Sequence, residues 1–498
     1  MTSELRIPAT VIDQLTTDLL QDDGLERAAV LECAESGYDL VVADCTVVPD
    51  NKLAAIGETE CQISHDYETA FVDECVAHSR HPLIIHSHPF TADAWFSTDD
   101  DAVMTGSTWI HALHDRRVLF GVLTQDELRV TEVYGDSSRT SVDTTIVGSW
   151  TLDEQDRVEP ATAETGQKSV EPGDDDLHDR TRRVYGADTL QELRETHVAV
   201  VGCGGIGSEL VKGLAGLGVR QVTLIDMDRI EESNLPRIPQ ATLQDVDQYK
   251  AAVMQQWYVR NVPGAETTII TLPVEETAQY LTDLDVDIIV AGLDRIAPRV
   301  WLNEYAARHL IPYVDAGSRI DVDDDTRIQV MGTTVQSIVP GTNTGCFECV
   351  GRIDREQLRR EGLPDGVLET EVDEGYIPES ALTPEPAVNY LNAVAAAEAI
   401  DQMVRIVTGY KSVTGSVIYD AVSKDLVAAD TRQSDQCYTC SRFVGTGDTG
   451  SVGDTGIDDN DIEELVDDIA PVPDEQETAT QEYVIPETVT SFFAQNSE

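Results

Sequence analysis

The clearest hydrophobic signal is a short apolar run, Val198 to Val201, closed at once by Gly202-Cys203-Gly204-Gly205-Ile206-Gly207. The run reads as a buried strand. Helical spacing follows over Ser208 to Leu217, then a second strand over Gln221 to Ile225 that stops at Asp226. Strand, glycine turn, helix, strand and acid, in that order, predict a Rossmann-type nucleotide site. Glycine lets the backbone turn tightly and approach a phosphate, and the helix directs free N–H groups and its positive end at it. Asp226 is placed to accept from ribose hydroxyls. The alternative is a tight strand–helix turn that binds nothing.

The same periodicities divide the chain. Residues 1–140 alternate helical and strand patterns, with a strand at Leu83 to Ile85. Residues 141–178 turn polar, acidic and Pro/Gly-punctuated, which predicts a linker. Residues 179–442 hold an amphipathic segment at Thr189 to Arg194, the glycine stretch, a buried strand at Val286 to Ala291 and an alanine-rich helix at Ala387 to Val404. Residues 443–498 are Gly/Asp/Thr-rich and acidic, too poor in apolar groups to order themselves, so they predict a disordered tail. Within it, Asp461 to Ile469 could form a short acidic helix on a partner. The fold class is α/β.

Charge narrows the partners. Acidic residues number 92 against 34 basic ones, for a net charge of −58. They are spread along the whole chain, as expected of a heavily hydrated surface suited to concentrated salt, such as a halophile's cytoplasm. Such a field repels nucleic acid and anionic membranes. No apolar run approaches the ~20 residues of a membrane helix. The opening MTSELRIPAT lacks the basic and apolar parts of a secretion signal. A cytoplasmic location is expected. Nine cysteines include two CxxC pairs, which favours metal over disulfides there.

In the first region His86-Ser-His88-Pro follows the LII strand, and Ser97-Thr-Asp-Asp100 comes downstream. Two histidines at i and i+2 on an extended segment project to one side. With a carboxylate from a following helix they make three ligands and leave a fourth position for water, the open zinc arrangement of a hydrolase. Glu26, heading an apolar run, could take the proton. This set resembles the JAB/MPN (JAMM) metalloproteases, with their upstream Glu and HxHP…SxxD. The resemblance implies a JAB/MPN α+β domain with His86, His88 and Asp100 as zinc ligands, Glu26 as general base and Ser97 stabilising the oxyanion. The gap before Ser97 is one residue longer than the family's usual one, so Asp99 is the alternative ligand; Asp100 preserves SxxD. A metal-free docking module is the non-catalytic alternative.

The second region opens with Arg180 and Arg183 in an RxxR pair. After Asp226 come Asp228, then Ser233-Asn234-Leu-Pro-Arg237, then Lys250 on a helix. Asp294 stands just past the Val286–Ala291 strand, with Arg299 and Asn303 on the next helix. Arg237 and Lys250 are cations for a triphosphate, and Asp294 is a carboxylate for Mg²⁺. No Walker A sequence occurs. A dehydrogenase would need only one acid on the ribose, so that alternative is weaker. The constellation resembles the adenylating family of ubiquitin-activating enzymes, MoeB and ThiF, over about residues 179–442. The resemblance implies ATP and Mg²⁺ held by Gly202, Gly204, Gly205, Gly207, Asp226, Asn234, Arg237, Lys250 and Asp294. It also implies a homodimer in which Arg183 reaches into the partner subunit's ATP site.

Cys346-Phe-Glu-Cys349 and Cys437-Tyr-Thr-Cys440 are two knuckles that can close one tetrahedral, structural Zn²⁺ site. MoeB-like relatives carry the same pairs. Between Cys349 and the alanine-rich helix there is no cysteine, where thioester-forming activating enzymes keep their nucleophile. Residues 351–386 resemble the family's crossover loop. The expected function is therefore adenylation of the C-terminal carboxylate of a ubiquitin-like or sulfur-carrier protein with a Gly-Gly tail, joined to zinc-dependent processing of the same class of protein. The alternatives are adenylation of a small peptide or small-molecule carboxylate, or an inactive scaffold.

Overall fold

The computed structural model describes residues 4–148 and 177–447, apart from 58, 92–93, 108–109, 112–113, 115, 324–326, 343, 364–366, 368–385 and 435. Most of the expected linker, much of the crossover loop and the tail from 448, including Asp461 to Ile469, lie outside the described residues. So does the side chain of Asp99. Among the described residues no helix is long and apolar enough to cross a membrane.

The first unit contains β1 (Glu4–Pro8), β2 (Ala28–Ser36), β3 (Asp39–Val47), β4 (Leu53–Ile56), β5 (Cys61–Ile63), β6 (His81–Ser87), β7 (Val118–Leu123), β8 (Leu128–Val133) and β9 (Arg139–Val147). Seven of these close a barrel in the order β1-β3-β2-β6-β7-β8-β9, and β4 and β5 form a separate hairpin. Parallel pairing of β9 with β1 completes the closure. Helices Ala9–Leu19, His65–Ala77 and Thr98–Gly106 flank it. Two apolar clusters pack the barrel's two faces, one around Leu31, Leu83 and Leu119, the other around Phe71, Val72 and Phe120.

The barrel reaches Val147, past the boundary expected near residue 140. β9 reads RTSVDTTIV and buries only Val142 and Val147, so its sequence looks like the polar segment that follows it. Edge closure is a backbone event, and polar side chains outside a barrel leave little hydrophobic pattern to read.

The second unit adds β10 (His197–Val201), β11 (Gln221–Ile225), β12 (Glu266–Ile270), β13 (Ile288–Ala291), β14 (Tyr313–Val322), β15 (Ile328–Ile338), β16 (Ser416–Asp420) and β17 (Asp425–Ala429). They form one sheet, β12-β11-β10-β13-β14-β15-β16-β17. The first five are parallel and the last three pair antiparallel. β10 and β13 are almost wholly apolar because helices cover both faces of that part of the sheet. Strand order reverses between β10 and β13, with β11 and β12 on one side and β14 on the other. That is the topological switch point, where ligands collect beyond the strands' carboxyl ends. The strand expected from Val286 is two residues shorter at its start, and the helix expected from Ser208 starts at Gly205.

The two units are joined through a shared core. Ala34, Val41 and Val147 of the barrel belong to the same buried cluster as Val198, Leu210 and Val314. Ser36 Oγ meets His309 Nδ1 at 2.9 Å, and the buried Arg6 guanidinium reaches Asp285 at 2.6 Å. Residues 443–447, expected as the start of the tail, dock here. The Gly445 and Gly447 amides donate to Ala307 and Arg308, and Arg80 donates to the Thr446 carbonyl at 2.9 Å. Val444 packs against the shared core and the Arg308 guanidinium lies over the Phe443 ring at 4.4 Å, so the docking joins two apolar side chains to backbone groups of the glycines.

Candidate functional site

Two sites assemble, one in each unit. In the barrel, β2 and β6 run antiparallel with Ala28 opposite His86. The same register carries Glu26 opposite His88. Ser87 fastens the crossing: its hydroxyl accepts from the Arg27 amide at 3.0 Å, and its amide donates to the Arg27 carbonyl at 2.9 Å. His86 Nε2 and His88 Nε2 lie 3.1 Å apart, and His86 Nε2 lies 3.3 Å from Asp100 Oδ1. One ligand atom from each of His86, His88 and Asp100 falls within 4.8 Å of the others, an arrangement able to hold a metal ion. Glu26 Oε1 stands 3.8 Å from His88 Nε2.

A capping box aims the carboxylate. Ser97 caps helix Thr98–Gly106: its hydroxyl accepts from the Asp100 amide at 3.2 Å, and its own amide donates to Asp100 Oδ2 at 2.6 Å. One carboxylate oxygen is thus tied to the helix and the other is turned to His86. The Ser97 hydroxyl spends a lone pair and keeps its proton for another acceptor.

Burial sets the charges. It drives His86 down to about 4, and also lowers His88, so both imidazoles are neutral, the form that ligates a metal. Desolvation first, and the Asp100 charge second, push the Glu26 carboxyl up to about 7. The Trp95 ring sits edge-on to His88 at 5.4 Å, a neighbour the sequence did not signal.

In the second unit the glycine turn leaves β10 at the switch point. A Cβ on Gly207 would stand 1.7 Å from the Gly202 carbonyl oxygen, so the helix can start this close to the strand only with glycine there. At Gly204 a Cβ would meet nothing within 4 Å, leaving the backbone open to close approach by a ligand. Asp226 braces the turn: one oxygen accepts from the Cys203 amide at 2.7 Å and the other from the Asp228 amide at 2.8 Å. Its carboxyl is raised, chiefly by desolvation, against the opposing pull of Lys250. Cys203 is wholly buried, a packed small residue.

The cations differ in commitment. Lys250 Nζ pairs with Asp228 Oδ2 at 2.8 Å. Arg237 has its Cδ 3.5 Å from where a Gly205 Cβ would sit, and no described residue pairs with its guanidinium. Asn234 is buried, with its side chain bonded to Glu231 and Ser233 in the same turn, so it shapes the loop that carries Arg237. Asp294 is exposed beyond β13, two residues after Gly292, whose amide donates to the Val201 carbonyl. Arg183 lies apart from the turn, three-quarters exposed and paired with Asp179 at 2.7 Å.

Arg299 and Asn303 have structural work instead. Arg299 pairs with the fully buried Asp315 at 3.3 Å, and Asn303 accepts from the Phe347 amide at 3.2 Å. Asn392 escaped the sequence reading. Its amide fills the space a Gly205 side chain would need, and its oxygen accepts from Ser318 at 3.1 Å. It lies on the alanine-rich helix, observed over Asn389–Thr408, where Asn389 and Gln402 are also amides, so the sequence did not single it out.

The four knuckle cysteines converge, although 87 residues separate the pairs (437 − 350). Sulfur contacts run from 3.4 to 3.6 Å. A zinc tetrahedron with bonds of about 2.3 Å sets sulfurs about 3.8 Å apart, so the donor set fits that metal. Glu348 ties one knuckle to the other, accepting from the Thr439 amide at 2.8 Å and from its hydroxyl at 3.0 Å.

A largely parallel sheet with a glycine turn at its switch point, and helices on both faces, defines a Rossmann-like α/β protein. The ThiF family model matches residues 178–439. The chain belongs to the ThiF family. It is 32% identical over 160 residues to a tRNA threonylcarbamoyladenosine dehydratase of Escherichia coli, covering 31% of this chain and 59% of that one. It is 37% identical over 120 residues to a NEDD8-activating enzyme E1 catalytic subunit of Caenorhabditis elegans, covering 24% of this chain and 28% of that one. A crystal structure of E. coli MccB with MccA-N7isoASN aligns at 23% identity and TM-score 0.44, over 53% of this chain and 74% of that one.

Proposed function

We propose that the second unit adenylates the C-terminal carboxylate of a ubiquitin-like or sulfur-carrier protein with a Gly-Gly tail. The observation that carries this reading is Arg237, a cation without a described partner, held over a glycine turn at the switch point. A substrate carboxylate oxygen would bond to the α-phosphorus of ATP as the bond to the β-phosphate oxygen breaks, releasing pyrophosphate. Turn amides, Arg237 and Lys250 would stabilise the charge, and Asp294 would hold Mg²⁺ to orient the leaving group. Arg183 on its exposed helix would serve the partner subunit's site in a homodimer. Several relatives are named for a tRNA product, but a net charge of −58 opposes nucleic-acid binding and favours a protein tail. The deciding experiment is ATP–pyrophosphate exchange with candidate Gly-Gly-tailed proteins. Exchange driven only by small-molecule carboxylates would move the reading to a different substrate class.

For the barrel we propose a second activity, zinc-dependent JAMM-type cleavage at the same kind of tail. The convergence of His86, His88 and Asp100, with Glu26 alongside, favours it. A zinc ion there would supply Lewis acidity to water. Glu26 would take the water's proton and later return it to the leaving amine, while Ser97 would donate to the developing oxyanion. The shared core fixes barrel and sheet as one body, so the tail would have to travel between sites.

The four cysteines would hold a structural zinc that ties residue 437 back to residue 346. We expect one zinc per chain to resist mild chelation there. Cys346→Ser should lower Tm by about 10 °C or more, read by calorimetry with zinc analysis alongside. An unchanged Tm and zinc content would remove the structural role.

A further inference from the structure

We propose that the barrel carries, beside His86 and Asp100, a side-chain subsite for a basic residue, lysine or arginine, flanking the bond to be cleaved. The proposal rests on the zinc-peptidase reading above. A cavity of about 70 Å³ lies between β5, β6, β7 and helix Thr98–Gly106, with His86 and Asp100 in its wall. A single water needs roughly 10–15 Å³, so the space suits a side chain. Ile63, Ile84, Phe96, Met104 and Phe120 make most of it apolar.

Glu68, from helix His65–Ala77, adds a carboxylate to that wall, and among the described residues lining it none is Lys or Arg. Its side-chain hydrogen-bond donor among the described residues is the Ser107 hydroxyl at 3.4 Å, and the exposed His65 imidazole lies close enough to act on its charge. A carboxylate has about four acceptor positions, so capacity remains. Asp100, the other acid lining the cavity, is committed to the Ser97 amide and His86. A lysine or arginine can lay its methylenes along the apolar wall and bring its cation to Glu68. An uncharged side chain fills the space but brings no cation to Glu68 inside the cavity, and an acidic one meets repulsion.

The test uses the full chain loaded with zinc and tail fusions carrying Lys, Met or Glu at each position flanking the scissile bond. At one flank, kcat/KM for Lys should exceed that for Met by about tenfold or more, with Glu below Met. In Glu68→Gln the Lys-to-Met ratio should fall to about one, mainly through a higher KM for the Lys fusion. Equal rates for all three, or a Lys advantage that survives in a folded Glu68→Gln protein, overturn the subsite. If no fusion is cleaved, saturation-transfer NMR with lysine amide against norleucine amide decides. Glu68-dependent binding of lysine amide keeps the subsite while the peptidase reading falls; equal or absent binding ends the subsite as well.

Discussion

Asp294→Ala should lose ATP–pyrophosphate exchange by about a thousandfold or more, the scale set by removing a group that organises charge at a reacting phosphate. The residue is exposed beyond β13, without a recorded partner among the described residues. A surface substitution of that kind typically changes stability by no more than about 0.5 kcal/mol. Activity and folding are therefore separable: exchange should vanish while Tm holds. Its position explains the size of the effect. β13 pairs with β10, and Gly292 at its end abuts the glycine turn, so Asp294 lies just past the strand ends beside that turn. Exchange at the wild-type rate in Asp294→Ala would reject the metal assignment. Excess Mg²⁺ should restore little, because the loss is in placement rather than supply.

The second large effect is expected at Glu26. Glu26→Gln keeps the side chain's shape but cannot accept a proton. Cleavage of a tail fusion should fall by about 10²–10⁴-fold, the range for losing a positioned base. Exchange by the second unit should remain, since Glu26 belongs to the barrel. Zinc content should also remain, because Asp100 and the two histidines supply the ligands. Parallel loss of cleavage and exchange in Glu26→Gln would argue against two separate sites. Loss of bound zinc would place Glu26 among the ligands instead.

Both substitutions test proposed sites that share one packed core. Arg6 and its acidic neighbours join the barrel to the sheet with little freedom between them. Asp39 and Asp287 both have carboxyls pushed up to about 6, chiefly by burial. A linker of any length cannot swing a barrel that is packed into its neighbour's core. A tail acted on at both proposed sites would therefore have to move, or act in two separate encounters.

Local order was readable from residues 198–226, because each element there advertises itself. Apolar runs mark strands buried on both faces, glycines mark the turn, and an acid ends the second strand. The CxxC pairs were readable for the same reason: thiolates at that spacing have few other uses. The Ser97-x-x-Asp100 spacing, which suggested a site by resemblance, forms a helix capping box in the structure.

Tertiary structure alone decided which distant residues meet. Glu26 faces His88 because β2 and β6 become neighbours in one register, and the sequence does not say which strands far apart in the chain will pair. Arg299 and Asp294 lie five positions apart, yet one is locked to buried Asp315 and the other faces outward. The end of the barrel at Val147, the docking of Gly445 and Gly447, and the shared core between units all arise from backbone contacts and from surfaces that become interior only when the two parts are in place.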